Sequence, residues 1–373
     1  MTLADQFIDG FIEEPGYLDY GRVGPLSASV VAEIRAQTDV LSRARFGSLD
    51  NLFRQNVRLE NAVAAVTGFR ADQIVAQPNT SSGLMHAMFG LTGGILLSPG
   101  DFPSVPFAAM RAAESLHVLT PTWLETDHGR VTPGEIKDQL SSSIAAVAVC
   151  LVDSRTGYLA DLEGIRQVIG DRLLIVDAIQ GFGVVDAPYE CADVVVSGGQ
   201  KWVRSGWGSG FLALSDAAAE RLTPVFSGFN ASSVDDPWDE VPPPAHGARA
   251  FQVSNGDAIA QARFSTALEE MEQVGIPVIA GIIADTVSEV IDLADEFAIP
   301  IASSRDVRER AGIVVLEPPT EQLTLLVASL HNHGITATSR LGTVRLSIHA
   351  GTSRETLDML RSAFMSFASA VTY

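Results

Sequence analysis

Short, almost wholly apolar runs alternate along this chain with longer stretches in which apolar positions recur every three or four residues. The runs are Ile74-Val75-Ala76, Ile95-Leu96-Leu97, Ile144–Val152, Leu173–Val176, Asp193–Val196 and Ile313–Leu316. Each is bounded by Gly, Pro, Asn, Asp or Ser, the signature of strands buried on both faces. Between them, helical periodicity predicts helices over about 27–45, 50–67, 84–91, 133–141, 162–169, 215–222, 257–273, 277–298 and 320–332. Residues 1–14 read as a short amphipathic helix stopped at Glu13-Glu14-Pro15-Gly16. An α/β architecture follows. The stretch Asp235–Gly247, DDPWDEVPPPAHG, has no periodicity and reads as a loop.

Composition narrows the function classes. With 373 residues the chain can bury a large core, and a formal charge of −20 argues against nucleic acid or an anionic membrane surface as partner. The longest strongly apolar run, Ile144–Val152, is too short to span a bilayer. The N-terminus has neither the basic region nor the apolar run of a signal peptide. Two cysteines, Cys150 and Cys191, in or beside apolar runs read as buried reduced thiols, and a cytoplasmic location is expected. His331 and His333 lie at a helix end with no metal-site spacing, so no metal is expected.

The candidate chemistry begins at Asp177, the acid that ends one buried run. About two dozen residues later, after the next run, Lys201 follows in the turn Ser197-Gly198-Gly199-Gln200-Lys201-Trp202. An anion beside a pyridine nitrogen and a desolvated, neutral lysine are what pyridoxal phosphate requires. Taken alone, Lys201 also fits a surface lysine after a crossover. Upstream, a strand, the polar turn Asn79-Thr80-Ser81-Ser82 and a helix start make an anion-binding geometry, although read alone the turn is an N-cap cluster. Near the C-terminus, Arg345 lies in an alternating strand, where a guanidinium fork suits an α-carboxylate.

These motifs, with Phe102-Pro103-Ser104, Arg155-Thr156-Gly157 and Ser254-Asn255, resemble in order those of the class V aminotransferase family of fold-type I pyridoxal-phosphate enzymes. The resemblance extends over roughly residues 15 to 370. It implies a large three-layer domain with a mainly parallel sheet (26–235), a small α+β domain (236–373) and an N-terminal segment (1–25) packing near the small domain. It implies Lys201 as the Schiff-base lysine and Asp177 as the partner of the pyridine nitrogen. Ser81 and Ser82 would contact the phosphate, Phe102 would stack on the ring, and Gln180 would bond its phenolic oxygen. Gln200 stands where relatives carry a histidine or tyrosine near the phosphate. Asn255 belongs to a segment that, in a homodimer, reaches the neighbour's active site. Arg345, with Tyr20, Arg22 and Arg155, would contact a small amino-acid substrate; for Tyr20 and Arg22, packing and surface pairing are the competing readings. Relatives often carry Ser or Thr where this chain has Gly198, which leaves one phosphate contact to be found.

Transamination is the reaction expected first. Kynureninase-like or carbon–sulfur side-chain cleavage is the alternative, epimerisation a third, and a silent cofactor-binding homologue the non-enzymatic one. Persulfide-forming cysteine desulfuration is excluded, because that chemistry needs a cysteine shortly before the carboxylate arginine and none follows Cys191.

Overall fold

In the computed structural model, residues 1–234 and 237–371 are described. The boundary expected between 235 and 236, and the start of the loop at Asp235–Gly247, lie outside the described residues. Seven strands form the main sheet: β1 (Ile74–Gln77), β2 (Gly93–Leu97), β3 (Leu119–Trp123), β4 (Ile144–Cys150), β5 (Leu173–Asp177), β6 (Val194–Gly198) and β7 (Gly210–Leu214). Their order is β1-β7-β6-β5-β4-β2-β3, and only β7 runs against its neighbours.

The central strands β5, β6 and β7 are buried at every residue, which is why they read as continuous apolar runs without alternation. One set of side chains, including Val176 and Val195, packs towards the helices Gln55–Thr67 and Ala258–Val274. The other, including Ile175 and Val196, packs towards Thr80–Gly90 and Ser104–Leu116. Each fully buried Val, Leu or Ile contributes about 1.5–3 kcal/mol relative to exposure, so both layers lock onto the sheet.

A second, antiparallel sheet joins β8 (Ile313–Leu316), β9 (Thr338–Arg340) and β10 (Thr343–Ser347) in the order β8-β10-β9. The β9–β10 hairpin turns on two residues of positive φ, Leu341 (53°) and Gly342 (83°), the combination whose twist suits a two-residue hairpin. The N-terminal segment runs along this small sheet, with Tyr17 bridging Thr336 and Asp19 bridging Ser347.

Boundaries shift where caps intervene. The helix expected over 50–67 is two, Leu49–Phe53 and Gln55–Thr67, and the first helix covers only Leu3–Asp9. The strand Leu119–Trp123 starts just after His117, whose left-handed conformation ends the preceding helix. Neither cysteine forms a disulfide, and both are half-buried rather than buried.

Candidate active site

Four parallel strands deliver their last residues to one edge of the main sheet: Gln77, Cys150, Asp177 and Gly198 end β1, β4, β5 and β6. Open α/β sheets bind ligands at this edge. Asp177 is 2% exposed, and its Oδ1 accepts the Ile179 N–H at 3.1 Å. Its other oxygen, Oδ2, is buried with no hydrogen-bond partner. Burial pushes the carboxyl up to about 6, against the Ile179 bond and the nearby Lys201, which pull it down. An unsatisfied buried carboxylate oxygen is costly, and a ring N–H⁺ is the partner it lacks.

Lys201 leaves the turn after β6. Burial brings its ammonium down to about 8; Asp177 opposes that shift and Arg345 reinforces it. Its Nζ lies 5.1 Å from the centre of the Phe102 ring, leaving Asp177, Lys201 and an aromatic face around one space. The N-terminal segment holds the lysine turn, with Gly24 donating to the Gln200 carbonyl at 2.8 Å. A Cβ on Gly24 would collide with the Lys201 carbonyl, so only glycine admits this approach. Arg204, with φ 58°, is buried in the same turn. It pairs with Glu13 at 3.0 Å and bonds the Pro25 carbonyl.

At the start of the helix Thr80–Gly90, Asn79 caps Ser82 N–H at 2.9 Å. Ser82 Oγ is tied to Asn79 at 3.2 Å and Ser81 Oγ to Ser104 Oγ at 2.8 Å. Within this turn, the hydroxyl that is buried without a partner is that of Thr80. It lies 3.2 Å from where a Cβ on Gly198 would stand, and Gln200 Oε1 lies 2.7 Å from the same point. Gln200 and Thr80 therefore fill the space a serine at 198 would take. The helix N-terminus and these polar side chains form a cradle that suits a phosphate.

The substrate side is a cavity of about 680 Å³ lined by Lys201, Phe102, Gln180, Arg22, Arg155 and Arg345, among others. Gln180 donates to the Gly21 carbonyl and accepts from Trp202 Nε1, both at 2.9 Å; its second amide N–H is left for a ligand. Arg345 reaches the cavity from β10, with Asp19 at 3.6 Å and a buried Nε without a partner. Arg22 is largely exposed, 4.0 Å from Asp19.

Two of the expected residues stand elsewhere. Tyr20 is 1% exposed; its hydroxyl bonds Glu13, and its ring packs against Trp202 and His349. It is a core residue rather than a substrate contact, because Glu13 and Arg204 offer the hydroxyl a buried polar partner. Asn255 lies outside this chain's Lys201 cavity, on a separate one of about 950 Å³, with its Oδ1 bonded to Asn230. Two groups escaped the sequence reading. Thr80 is hidden inside what looked like a capping cluster. Asp101 is a buried acid raised to about 7 by burial and by Asp153, with Oδ2 unpartnered. Its position after β2 at the ligand edge was the available signal.

Residues 57–237 match the profile of the family described as aminotransferase class-V. Over those residues, which make up most of the large domain, the chain is similar to the class V aminotransferase family. Solved structures agree in fold. A cysteine desulfurase from Thermococcus onnurineus NA1 superposes with a TM-score of 0.84 at 19% identity, covering 95% of each chain. The cystine C–S lyase C-DES, in complex with cysteine persulfide, gives 0.85 at 17% identity over 94% of this chain and 98% of its own. The Escherichia coli cysteine desulfurase CsdA gives 0.81 at 15%, covering 100% and 99%. No curated protein sequence matches the chain. Class V aminotransferase-family enzymes use pyridoxal phosphate, and the orphaned Asp177 oxygen, the Phe102 face, Lys201 and the Thr80 cradle fit that group.

Proposed function

We propose that this class V enzyme cleaves the β-substituent of a small L-amino acid, a carbon–sulfur lyase reaction, rather than transaminating it. The observation that carries the reading is a cavity offering a desolvated amine, Lys201, and no thiol. Cys150 is half-buried at the end of β4, its thiol pushed up by burial and by Asp101 and Asp177, and it does not line the cavity. The structural relatives are cysteine desulfurases and a cystine C–S lyase. Without a cysteine to accept sulfur, direct elimination is the carbon–sulfur chemistry that fits these residues.

Pyridoxal phosphate, when bound, supplies the electron sink for the pair left at Cα. Asp177 holds the ring nitrogen's proton and positive charge. Phe102 would shield the ring from water, and the second amide N–H of Gln180 would serve the phenolic oxygen. Thr80, Ser81, Ser82 and Gln200 would hold the phosphate. Arg345 binds the α-carboxylate through its two-pronged fork. Lys201, with a pKa near the working range, takes the Cα proton as a neutral amine. The Cβ–S bond then breaks with its electron pair leaving on sulfur, and the released three-carbon fragment hydrolyses to pyruvate and ammonia. The position of Asn255 away from Lys201 supports a homodimer in which this residue serves the neighbouring subunit.

The test is incubation of the holoenzyme with β-substituted L-cysteines and no keto acid. Pyruvate, ammonia and free thiol formed over many turnovers support the lyase. One equivalent of the keto acid that retains the side chain, with conversion of the cofactor to pyridoxamine phosphate, would make it a transaminase.

A further inference from the structure

Deepening that reading, and resting on it, we propose that the substrate carries a second carboxylate, on the substituent that leaves, held by Arg155 and Arg340 at the mouth of the cavity.

The lining of the cavity is strongly positive in a chain of net charge −20. Besides Lys201 it presents Arg22, Arg130, Arg155, Arg340 and Arg345, against one carboxylate, Glu317. Arg22 and Arg345 share Asp19, Arg130 faces Glu309 at 4.0 Å, and Arg155 is near enough to the buried Asp101 to pull that carboxyl down. Among the described residues, neither Arg155 nor Arg340 has an ion pair or a side-chain hydrogen bond.

Topology directs both onto the substrate. Arg340 pairs with Thr343 across the β9–β10 hairpin, and Arg345 is two residues beyond Thr343 on β10. Directly opposed residues and residues two apart share a face, so Arg340 and Arg345 project to the same side. Arg155 follows Ser154, whose carbonyl accepts from Arg345 Nη1 at 3.4 Å. Arg345 is therefore flanked by both. It holds its proton less tightly than an ordinary arginine, chiefly through burial, with Arg340 and Arg22 adding to the effect. One α-carboxylate occupies one guanidinium fork, and the phosphate cradle is built at the helix Thr80–Gly90 from other side chains. Two forks remain, on the side of the cavity that opens to solvent, where a substrate's side chain extends.

The test compares S-carboxymethyl-L-cysteine with S-carbamoylmethyl-L-cysteine, nearly equal in shape and differing in one charge. Binding is read by the change in absorbance of the holoenzyme, so the result does not depend on cleavage. The carboxylate should bind about tenfold tighter, the difference between a charge-assisted and a neutral hydrogen bond. That ratio should fall towards one in Arg155→Gln/Arg340→Gln and shrink with added salt. Equal affinities, a tighter amide, a ratio unmoved in the double variant, or no spectral response to the carboxylate would overturn the inference. Tighter carboxylate binding with no pyruvate from either compound would retain the second-anion site and discard the lyase reading. Pyruvate from both at equal affinity would do the reverse.

Discussion

The two edges of the main sheet treat an aspartate in opposite ways. At one edge Asp193, just before β6, has both oxygens engaged. Arg166 Nη2 is at 2.5 Å, Leu174 N–H at 2.9 Å and Ser215 Oγ at 3.0 Å. At the other edge Asp177, ending β5, is left with one oxygen unpartnered and with Lys201 desolvated nearby. The first edge uses polar groups to tie crossovers to the sheet. The second leaves its groups short of partners, so that something else must supply them. Buried groups are normally satisfied, and a cluster of exceptions at the ligand edge is a site held ready at some cost to the empty fold.

The largest effect that would break this comparison is on the lysine. Lys201→Ala should abolish the cofactor's bound absorbance band and lower turnover by at least about 10²–10⁴-fold, the scale of proton transfer alone. The empty protein should melt no lower than wild type, since a poorly solvated charge is removed. A variant that keeps both band and turnover would remove Lys201 from the chemistry.

Next come the two aspartates as a pair. Asp177→Asn should lower turnover by about 10²-fold, in the range seen for single preorganised electrostatic contacts, with the empty protein as stable as before. Asp193→Asn should leave turnover per folded molecule unchanged. It should cost roughly 2 kcal/mol of stability, below the figure for a fully buried pair because Arg166 is 28% exposed. Activity assays and thermal melts on both variants check the contrast, and equal behaviour of the two would erase it.

The pH dependence sharpens the same point. In the folded empty protein Lys201 falls to about 8 from 10.5, so the folded state gives up this proton sooner than the unfolded one. Its contribution to stability therefore rises as pH increases from about 8 to 10.5. Asp177 is raised to about 6 from 3.8, so its contribution is present below 3.8 and lost as pH rises to about 6. Correspondingly, capture of pyridoxal phosphate by the empty protein should speed up with pH and level off near 8. A midpoint near 10.5 would show an ordinary lysine.

The smallest effect concerns Gly198. Adding a side chain in Gly198→Ser pushes against Gln200 Oε1 and Thr80 Oγ1, and cofactor affinity should weaken a few-fold. Tighter binding would show that Gln200 does not take over the missing serine's place.

Much of this site is legible from local sequence. Strands buried on both faces must be apolar throughout, so the acid that stops β5 and the lysine turn after β6 stand out against their runs. The Asn79–Ser82 turn is legible for a similar reason, since a helix start needs a cap. Tyr20 misled because a tyrosine beside an arginine in an entry segment gives no sign of which way its hydroxyl turns. That was set by Glu13 and Arg204, the latter distant in sequence and in a left-handed backbone conformation. Thr80 was missed because capping propensity says which residues occupy a turn, not which one faces inward.

By itself the sequence determined the alternation of buried strands and helices, the acid and lysine on consecutive strands, and the arginine on a late alternating strand, because burial and hydrogen-bond demand act locally. Only the tertiary structure decided that Thr80 and Gln200 fill the space beside Gly198, and that Arg155, Arg340 and Arg345 converge on one cavity. Those arrangements depend on residues far apart in the chain whose directions are fixed by sheet order, hairpin register and the N-terminal segment packed beneath Lys201. No local pattern encodes such directions.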